Sequence, residues 1–286
     1  MRHFVIITNL QKDPGLVQTR RISNWLGKRG CTCLVLEENG DSLRRDYRYT
    51  DPGSIPRGTE CVLVLGGDGT LLQAARDLVD LSLPLLGINM GKLGYLAEIE
   101  LGGVFEALER LVHNSCNVEK RMMLEGDVYR GDELIKSDIS LNDIVICRRG
   151  RLRIISFQIY VDGAFLCSYQ ADGISIATPT GSTGYSLSAG GPIVSPDASL
   201  ILLTAIAPHT ISSRPVILPE RVEITVELTD THSASDEALA EVNFDGDTVL
   251  PLQAGDRVKI RRAAREAKLV RVYHTSFVEI LRNKMN

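Results

Sequence analysis

The hydroxyl-rich run at residues 178–191 carries the residue types best suited to binding a polar ligand. It holds six Ser and Thr side chains, four glycines and one Tyr, with almost no apolar bulk. Glycines let backbone N–H groups approach a ligand, and hydroxyls both donate and accept hydrogen bonds. With so little to bury, the run is not expected to form core. Apolar strands at Gly173–Ala177 and Ile201–Ala207 flank it, so we interpret it as a loop for a sugar, nucleoside or phosphate. The alternative is a flexible linker.

A second candidate site is the turn Gly66–Thr70, which reads Gly-Gly-Asp-Gly-Thr after an apolar strand and before a helical pattern. In an open α/β sheet, ligands bind outside the carboxyl ends of the strands, and a helix N-terminus offers free N–H groups to phosphate. Asp68 could hold a divalent metal that bridges phosphates, or take a proton from an attacking hydroxyl. The alternative is that Asp68 only caps the helix.

Two shorter pairs carry polar side chains at strand ends. Asn142 and Asp143 begin an apolar strand, where an amide and a carboxylate can share the hydroxyls of one ribose. Asp172 precedes the apolar strand Gly173–Ala177. For both pairs, an ordinary turn or strand end is an equal alternative. A Walker A loop is not formed, because Leu93 stands where that motif requires Ser or Thr after the lysine.

Composition is that of an ordinary globular protein of 286 residues, with 44% hydrophobic and 24% charged residues. The net charge of −4 gives no electrostatic case for nucleic acid or an anionic membrane. No apolar run is long enough for a signal peptide or a membrane span. The six cysteines are scattered without a Cys-x-x-Cys pair, which is typical of free thiols in a reducing compartment. We therefore expect a cytoplasmic protein without nucleic-acid or membrane partners.

The pattern of elements changes near residue 117. Before it, buried strands alternate with helices, which indicates a parallel α/β sheet. After it, strand-like runs follow one another with little helix. We predict an α/β domain at 1–116 that carries the Gly66–Thr70 turn, and a mostly β domain at 117–275 that carries the hydroxyl-rich run. The tail, about 276–286, is predicted to be a short helix that packs back on the first domain.

These motifs, in this order, resemble the NAD kinase family over nearly the whole chain from about residue 60. The matching segments are Gly66–Thr70, Gly87–Asn89, Leu93–Leu96, Leu141–Asp143, Asp172-Gly173 leading into Thr178–Gly191, Pro208–Thr210, Arg214-Pro215 and Asp245-Gly246. The 178–191 block is highly specific, whereas the Gly-Gly-Asp-Gly turn is shared with diacylglycerol kinases, sphingosine kinases and phosphofructokinases. The resemblance implies a two-domain protein that transfers the γ-phosphoryl group of ATP to the 2′-hydroxyl of the adenosine ribose of NAD, giving NADP.

The resemblance also implies roles for particular residues. Asp68 would be the base or the carboxylate beside a divalent metal, Mg²⁺ or Mn²⁺, whose protein ligands stay unknown. Asn142 and Asp143 would hold ribose hydroxyls, and 117–275 would be the dinucleotide-binding domain. The full set of candidate binding residues is Gly66, Gly67, Asp68, Gly69, Thr70, Asn142, Asp143, Arg153, Gln170, Asp172, Thr183, Gly184, Tyr185, Ser186, Leu187, Ser188, Ala207 and Asp247.

The family is typically dimeric or tetrameric, so the resemblance implies self-association in which Asp172 serves a neighbour's pocket. Several positions depart from the commoner pattern of the family. Asp143 stands where Glu is frequent, and Gly184 where Ala is usual. Gln170 is neutral, and a neutral group there would relax discrimination between NAD and NADH. The donor, ATP or polyphosphate, stays open.

Two other functions compete with this interpretation. A lipid or sphingoid-base kinase would share the Gly66–Thr70 turn, but it requires an apolar cleft where 178–191 offers a polar one. A dinucleotide-binding regulator without catalysis would gain little from a carboxylate at Asp68 beside bound phosphates. A well-folded protein that binds NAD without turnover would support this second alternative.

Overall fold

The computed structural model describes residues 1–36, 50–91, 94–150, 154–229, 240–273 and 276–285. The chain divides into two compact units. The first comprises Met1–Arg121 and Glu266–Asn286, and the second comprises Met122–Arg265. Residues 266–286, which include the predicted tail helix, thus belong to the first unit.

Helices and strands alternate in the first unit, whereas strands predominate in the second. In chain order, the elements up to residue 121 are β1 (His3–Thr8), α1 (Val17–Gly27), β2 (Thr32–Leu36), β3 (Cys61–Gly66), α2 (Asp68–Asp77), β4 (Pro84–Asn89), β5 (Ile99–Glu100), α3 (Val104–Val112) and the start of β6 (Asn117–Arg130). They continue with β7 (Glu133–Ser140), β8 (Asp143–Arg148), β9 (Ile155–Val161), β10 (Ala164–Ala171), β11 (Gly173–Ala177), α4 (Tyr185–Ser188), β12 (Leu200–Ile206), β13 (Val216–Pro219), β14 (Ile224–Leu228), β15 (Ala240–Phe244), β16 (Thr248–Leu252), β17 (Arg257–Arg271) and α5 (Phe277–Met285).

The first unit is built on a parallel sheet in the order β2-β1-β3-β4, with β5 parallel to β4. The far end of β17 adds to β4, also in parallel, at Lys268 and Leu269. All six residues of β3 are buried, as expected for a parallel strand covered on both faces. The core places Ile6 and Leu63 of the sheet with Leu26 and Leu108 of the helices. The predicted α/β architecture is confirmed.

Apolar residues at helical spacing predict an amphipathic helix over Pro14–Arg29, and the observed helix is shorter. Pro14–Leu16 forms a single 3₁₀ turn in which Gly15 and Leu16 have φ values of 72° and 56°. These left-handed residues break the helical path, so α1 begins at Val17. The Asp13 carboxylate then accepts hydrogen bonds from the N–H groups of Gln18 and Thr19 at 3.0 and 2.9 Å, which satisfies the first turn of α1.

The second unit is mostly β, as predicted. One antiparallel sheet has the order β13-β12-β11-β8-β15-β16, and a second antiparallel set has the order β10-β9-β14-β17. The strands β6 and β7 form a hairpin. Among the described residues, Phe157 and Phe244 are the largest fully buried side chains, and they belong to one apolar cluster of this unit. Among the helices in the described ranges, none has the length and apolar character needed to cross a membrane.

Candidate functional site

Asp68 lies at the first position of α2, directly after the buried strand β3 and Gly67. Its carboxylate does not cap its own helix. Instead, Oδ2 accepts a hydrogen bond from the N–H of Tyr95 at 2.7 Å, and Oδ1 accepts from those of Leu96 and Ala97 at 3.3 and 3.2 Å. The helix-cap alternative is therefore wrong, because the backbone that holds Asp68 belongs to the turn after β4.

The hydrogen bonds of Asp68 leave one direction open. A carboxylate offers about four acceptor positions, two on each oxygen. Backbone N–H groups take both positions on Oδ1 and one on Oδ2, and the described part of the chain provides no further partner. Asp68 thus presents a single acceptor position, on Oδ2, to whatever lies beyond the carboxyl end of β3.

Glycines are required around this carboxylate because other atoms occupy the space of a side chain. A Cβ on Gly94 would lie 2.0 Å from Oδ2 of Asp68, and one on Gly66 would lie 2.3 Å from Oγ1 of Thr70. Real Cβ atoms do not approach other atoms below about 3 Å. By contrast, a Cβ on Gly69 would meet no atom within 4 Å. Of the predicted glycines, Gly66 therefore has a packing reason to be glycine, and Gly69 leaves open space at the start of α2.

The turn whose N–H groups bind Asp68 is itself hydrogen-bonded to residues at the end of β17 and directly after it. Nη1 of Arg271 donates to the carbonyl of Leu96 at 3.3 Å. The carboxylate of Glu98 accepts from the N–H groups of Val272 and Tyr273 at 2.9 and 2.8 Å. Burial raises the pKa of Glu98 above its ordinary value, against the lowering effect of these bonds. Residues near the end of the chain thereby fix the turn that orients the candidate catalytic carboxylate.

Asp143 is the first residue of β8 in the second unit and Asn142 directly precedes it; the carboxylate of Asp245 orders the backbone of both. The Asp245 carboxylate accepts from the N–H groups of Leu141, Asn142 and Asp143 at 2.7, 2.8 and 3.1 Å. Oδ1 of Asn142 is buried and has no hydrogen-bond partner in the described residues. Such an atom is rare in a folded protein unless a ligand or water completes it. Asn142 is thus a candidate ligand contact by geometry as well as by sequence.

Asp143 is 3% exposed, and its carboxyl group lies near the charge of Asp245. Burial first, and the negative charge of Asp245 second, raise the pKa of Asp143 to about 7, although the N–H of Tyr185 donates to it and lowers the value. Near neutral pH this group can therefore donate a hydrogen bond when protonated and accept one when ionised.

The expectation that the hydroxyl-rich run stays out of the core is wrong for much of it. Thr178, Ser182 and Ser186 are completely buried. Thr178 donates to the carbonyl of Leu141 at 2.6 Å, and Ser182 exchanges hydrogen bonds with the backbone of Val194 at 3.2 and 3.1 Å. Burial of a hydroxyl costs little once it is hydrogen-bonded. These side chains therefore stabilise the conformation of the run and do not face a ligand.

The remaining predicted residues of the run differ in exposure. Tyr185 is 60% exposed, Leu187 and Ser188 are exposed, and Thr183 and Gly184 are half-buried. The hydroxyl of Ser186 is 3.0 Å from that of Thr204, so Ser186 is placed inside the fold. A ligand that binds over this surface can contact Tyr185, Leu187 and Ser188, whereas Ser186 lies beneath them.

A second cluster lies at the opposite end of β11. Arg148 Nε donates to Oδ1 of Asp172 at 2.9 Å, and Ala207 has a left-handed φ of 46° at the end of β12. Asp172 precedes β11, whereas Asp143 pairs with Ala177 at its last residue. Five residues of strand separate the two ends by about 17 Å. Asp172 and Ala207 are thus not brought together with Asn142 and Asp143.

The other predicted residues are placed as follows. Gln170 is exposed on β10, and its carbonyl accepts from the N–H of His209 at 2.7 Å. The N–H of Asp247 donates to the carbonyl of Phe244 at 3.2 Å in the turn before β16. Arg153 lies outside the described residues. Within the described ranges, no group of three His, Cys, Asp or Glu residues is placed to hold a metal.

Sequence reasoning misses two contributors to these sites. The sequence marks Asp245 only as part of a turn motif, although its carboxylate binds three consecutive N–H groups. Lys12 lies against Gly67, with Nζ 2.6 Å from the position that a Cβ would take there. Neither contact leaves a local pattern. Asp245 is 103 residues from Asn142 in the chain, and Lys12 is 55 residues from Gly67.

The glycine turn after β3 in the α/β unit and the polar cluster at the start of β8 in the β-rich unit are features expected of a nucleotide-binding type of protein. Two family models match the chain. The model described as the ATP-NAD kinase N-terminal domain matches residues 4–116, and that of the ATP-NAD kinase C-terminal domain matches residues 141–272.

Curated relatives and a solved structure agree with the family models. The chain is 43% identical to the NAD kinase of Lachnospira eligens, with 100% of both chains covered. It is 46% identical to the NAD kinase of Agathobacter rectalis, with 100% of this chain and 99% of the relative covered. Its fold is similar to that of yeast NADH kinase, crystallised with NADH, with a TM-score of 0.85, 24% identity, and coverage of 100% of this chain and 87% of that one.

The chain belongs to the NAD kinase family. This result confirms the predicted resemblance, the fold class and the enzyme class, a phosphotransferase that acts on an alcohol group. It also sets aside the lipid-kinase alternative, which shares only the turn at Gly66–Thr70.

Proposed function

We propose that this protein transfers the γ-phosphoryl group of ATP to the 2′-hydroxyl of the adenosine ribose of NAD, which yields NADP. The observation that carries the proposal is the state of Asp68. Three backbone N–H groups fix its carboxylate, and one acceptor position on Oδ2 stays open beyond the end of β3. Phosphoryl transfer depends mainly on positioning and charge neutralisation, and a carboxylate held in one orientation suits both tasks.

Each cluster has a distinct role in this reaction. Oδ2 of Asp68 accepts the proton of the attacking hydroxyl or binds the metal that accompanies the donor phosphates. Oδ1 of Asn142, which lacks a partner in the described residues, accepts a hydrogen bond from a ribose hydroxyl. The carboxyl group of Asp143 holds a second ribose hydroxyl. Gly184 lies beside this contact, since a Cβ on it would be 3.3 Å from Oδ2 of Asp143, and the N–H of Tyr185 donates to Asp143. We assign Thr183, Leu187 and Ser188 to the same surface, with Ser186 supporting it from inside the fold.

A divalent cation, Mg²⁺ or Mn²⁺, fits the chemistry of the first unit. Mg²⁺ is commonly held by one or two carboxylates together with substrate phosphates, rather than by a cage of protein ligands. Asp68 supplies one oxygen in an open position, and no larger acidic group is found in the described part of the chain. When bound, the cation would neutralise charge on the donor phosphates.

The separation of the two clusters along β11 supports self-association as a dimer or tetramer. Asp172, Gln170 and Ala207 lie at the strand end away from Asp143, so we assign them to the pocket of a neighbouring copy. Exposed apolar side chains of the β-rich unit, Phe165 and Ile217 among them, offer surface for such contacts. Light scattering on the purified protein measures the number of subunits.

All six cysteines are free, which supports a location in the reducing cytoplasm.

The test is NADP formation from NAD, ATP and Mg²⁺, detected with an NADP-specific dehydrogenase. Wild type should turn over, and Asp68→Asn should lower kcat by about 10²- to 10⁴-fold with NAD affinity unchanged. Because the amide nitrogen of Asn cannot accept the N–H of Tyr95, the variant should also lose about 1–3 kcal/mol of stability. The control is Asp132→Asn, which removes a fully exposed carboxylate. NAD binding without turnover in the wild type would instead favour a non-catalytic regulator.

A further inference from the structure

Lys12 lies in a turn that is anchored beside the end of β3. The N–H of Asn9 donates to the carbonyl of Leu65 at 2.9 Å, which attaches the turn to the strand that precedes Gly66. The N–H of Lys12 donates in turn to the backbone and side-chain oxygens of Asn9, at 3.0 and 3.2 Å. Nδ2 of Asn9 is 3.4 Å from Oγ1 of Thr70 in α2. The turn is therefore fixed relative to the start of α2.

The ammonium group of Lys12 reaches over the glycine turn. Nζ lies 2.6 Å from the position of a Cβ on Gly67 and 3.8 Å from that of a Cβ on Gly91. The side chain is exposed, and its ammonium forms no ion pair or hydrogen bond with the described residues. The N-terminus of α2, a ten-residue helix, carries partial positive charge at the same place. The ammonium and the N–H groups of the helix N-terminus are both hydrogen-bond donors, and an anion can bind to them together.

Asn89 provides an independent sign of a ligand at this strand end. It is 3% exposed at the last residue of β4, and its Oδ1 has no partner among the described residues. Nδ2 donates to the carbonyl of Gly91 at 2.8 Å. A Cβ on Gly87 would touch Leu71 of α2 at 2.8 Å, and residues two apart on a strand share a face. The side chain of Asn89 thus projects toward the face that carries α2, near the helix start.

We propose that Lys12 binds the triphosphate of the phosphoryl donor, an inference that rests on the proposed function. The ammonium and the free N–H groups at the start of α2 bind phosphate oxygens. Oδ1 of Asn89 accepts a hydrogen bond from a water that enters with the hydrated phosphates. Lys12 is a donor-binding residue in this arrangement, and it has no role in holding NAD.

The experiment compares ATP binding, by calorimetry without NAD, in wild type, Lys12→Met, Lys12→Arg and the control Lys28→Met. Lys28 is an exposed lysine of the same unit, at the end of α1. Lys12→Met should raise the Kd and KM for ATP roughly tenfold or more and leave the KM for NAD and the melting temperature unchanged. Lys12→Arg should retain most of the affinity, and Lys28→Met should match wild type. Inorganic tripolyphosphate should compete with ATP for wild type and only weakly for Lys12→Met.

The outcomes separate this proposal from the proposed function. If wild type makes NADP and Lys12→Met binds ATP as tightly as wild type, the assignment of Lys12 is wrong and the function stands. An equal rise of the KM for NAD and for ATP would also reject it, because a donor-binding residue acts on one substrate. If wild type makes no NADP, the proposed function fails, whereas calorimetry without NAD still decides whether Lys12 binds ATP.

Discussion

A single methyl group at residue 94 should remove the carboxylate of Asp68 from its position. A Cβ on Gly94 would lie 2.0 Å from Oδ2, 2.1 Å from Cγ and 2.1 Å from Oδ1 of Asp68. All three distances are far below the contact distance of non-bonded atoms, so Gly94→Ala and the present orientation of Asp68 exclude each other. The variant tests the site without altering any atom of Asp68.

The size of the effect follows from what the carboxylate must give up. It has to move by more than about 1 Å to reach normal contact distance, and it then loses the hydrogen bonds from Tyr95, Leu96 and Ala97. Overpacking of this kind costs about 1–3 kcal/mol. Loss of the oriented acceptor should lower kcat by about 10²- to 10⁴-fold, the range of a misplaced acid–base group.

A double-mutant cycle identifies the cause. Gly94→Ala, Asp68→Ala and the double variant are compared by chemical denaturation and by NADP formation. In the Asp68→Ala background the obstacle is gone, so adding Gly94→Ala should cost less than about 0.5 kcal/mol. The control is Gly102→Ala, because a Cβ there meets no atom within 4 Å. A Gly94→Ala variant with wild-type kcat and stability would refute the placement of Asp68, and an equal cost in both backgrounds would refute the carboxylate as its cause.

Two further predictions concern the second unit. Gly181→Ala should lower the free energy of unfolding by about 3 kcal/mol or more, measured by thermal unfolding, because its Cβ would lie 2.0 Å from the backbone oxygen of Asn142. Gly184→Ala, with nearest distances of 3.2 and 3.3 Å, should stay within about 1 kcal/mol. The pKa of Asp143 rises from 3.8 to about 7 on folding, so the native state keeps a proton that the unfolded chain releases, and stability falls as pH rises through this window. Chemical denaturation at pH 4 to 8 should show the free energy of unfolding falling by at most about 4 kcal/mol, and Asp143→Asn should abolish this fall. An equal pH dependence in the variant would contradict the assignment to Asp143.

Local patterns predicted the elements that position the sites. The apolar run before Gly66 predicted β3, and Gly173–Ala177 is β11 with unchanged bounds. The exposed strands β7 and β10 were not predicted, because most of their residues bury little and show no clear apolar alternation. Their hydrogen bonds come from the neighbouring strands β6 and β9, and pairing of this kind leaves no mark on a single segment.

The hydroxyl-rich run shows why composition misjudged burial. Its small polar side chains predicted exposure, yet the carbonyl of Leu141 and the backbone of Val194 satisfy Thr178 and Ser182 inside the fold. Those partners lie 37 and 12 residues away in the chain. Whether a hydroxyl binds a ligand or its own protein depends on the third dimension, so the residue types alone left both outcomes open.

Residue type alone also left two roles open for Asp68, a base or a metal ligand. The hydrogen bonds of its carboxylate restrict how these two roles can be combined. A free carboxylate could bind a metal with one oxygen and accept a proton with the other. In this protein Leu96 and Ala97 occupy Oδ1, and Tyr95 occupies one position on Oδ2. A metal bound at the remaining position leaves no acceptor for the hydroxyl proton, and a proton accepted there leaves none for the metal. If Asp68 takes part in phosphoryl transfer as proposed, its present hydrogen bonds let it act as base or as metal ligand in a given step, but not as both.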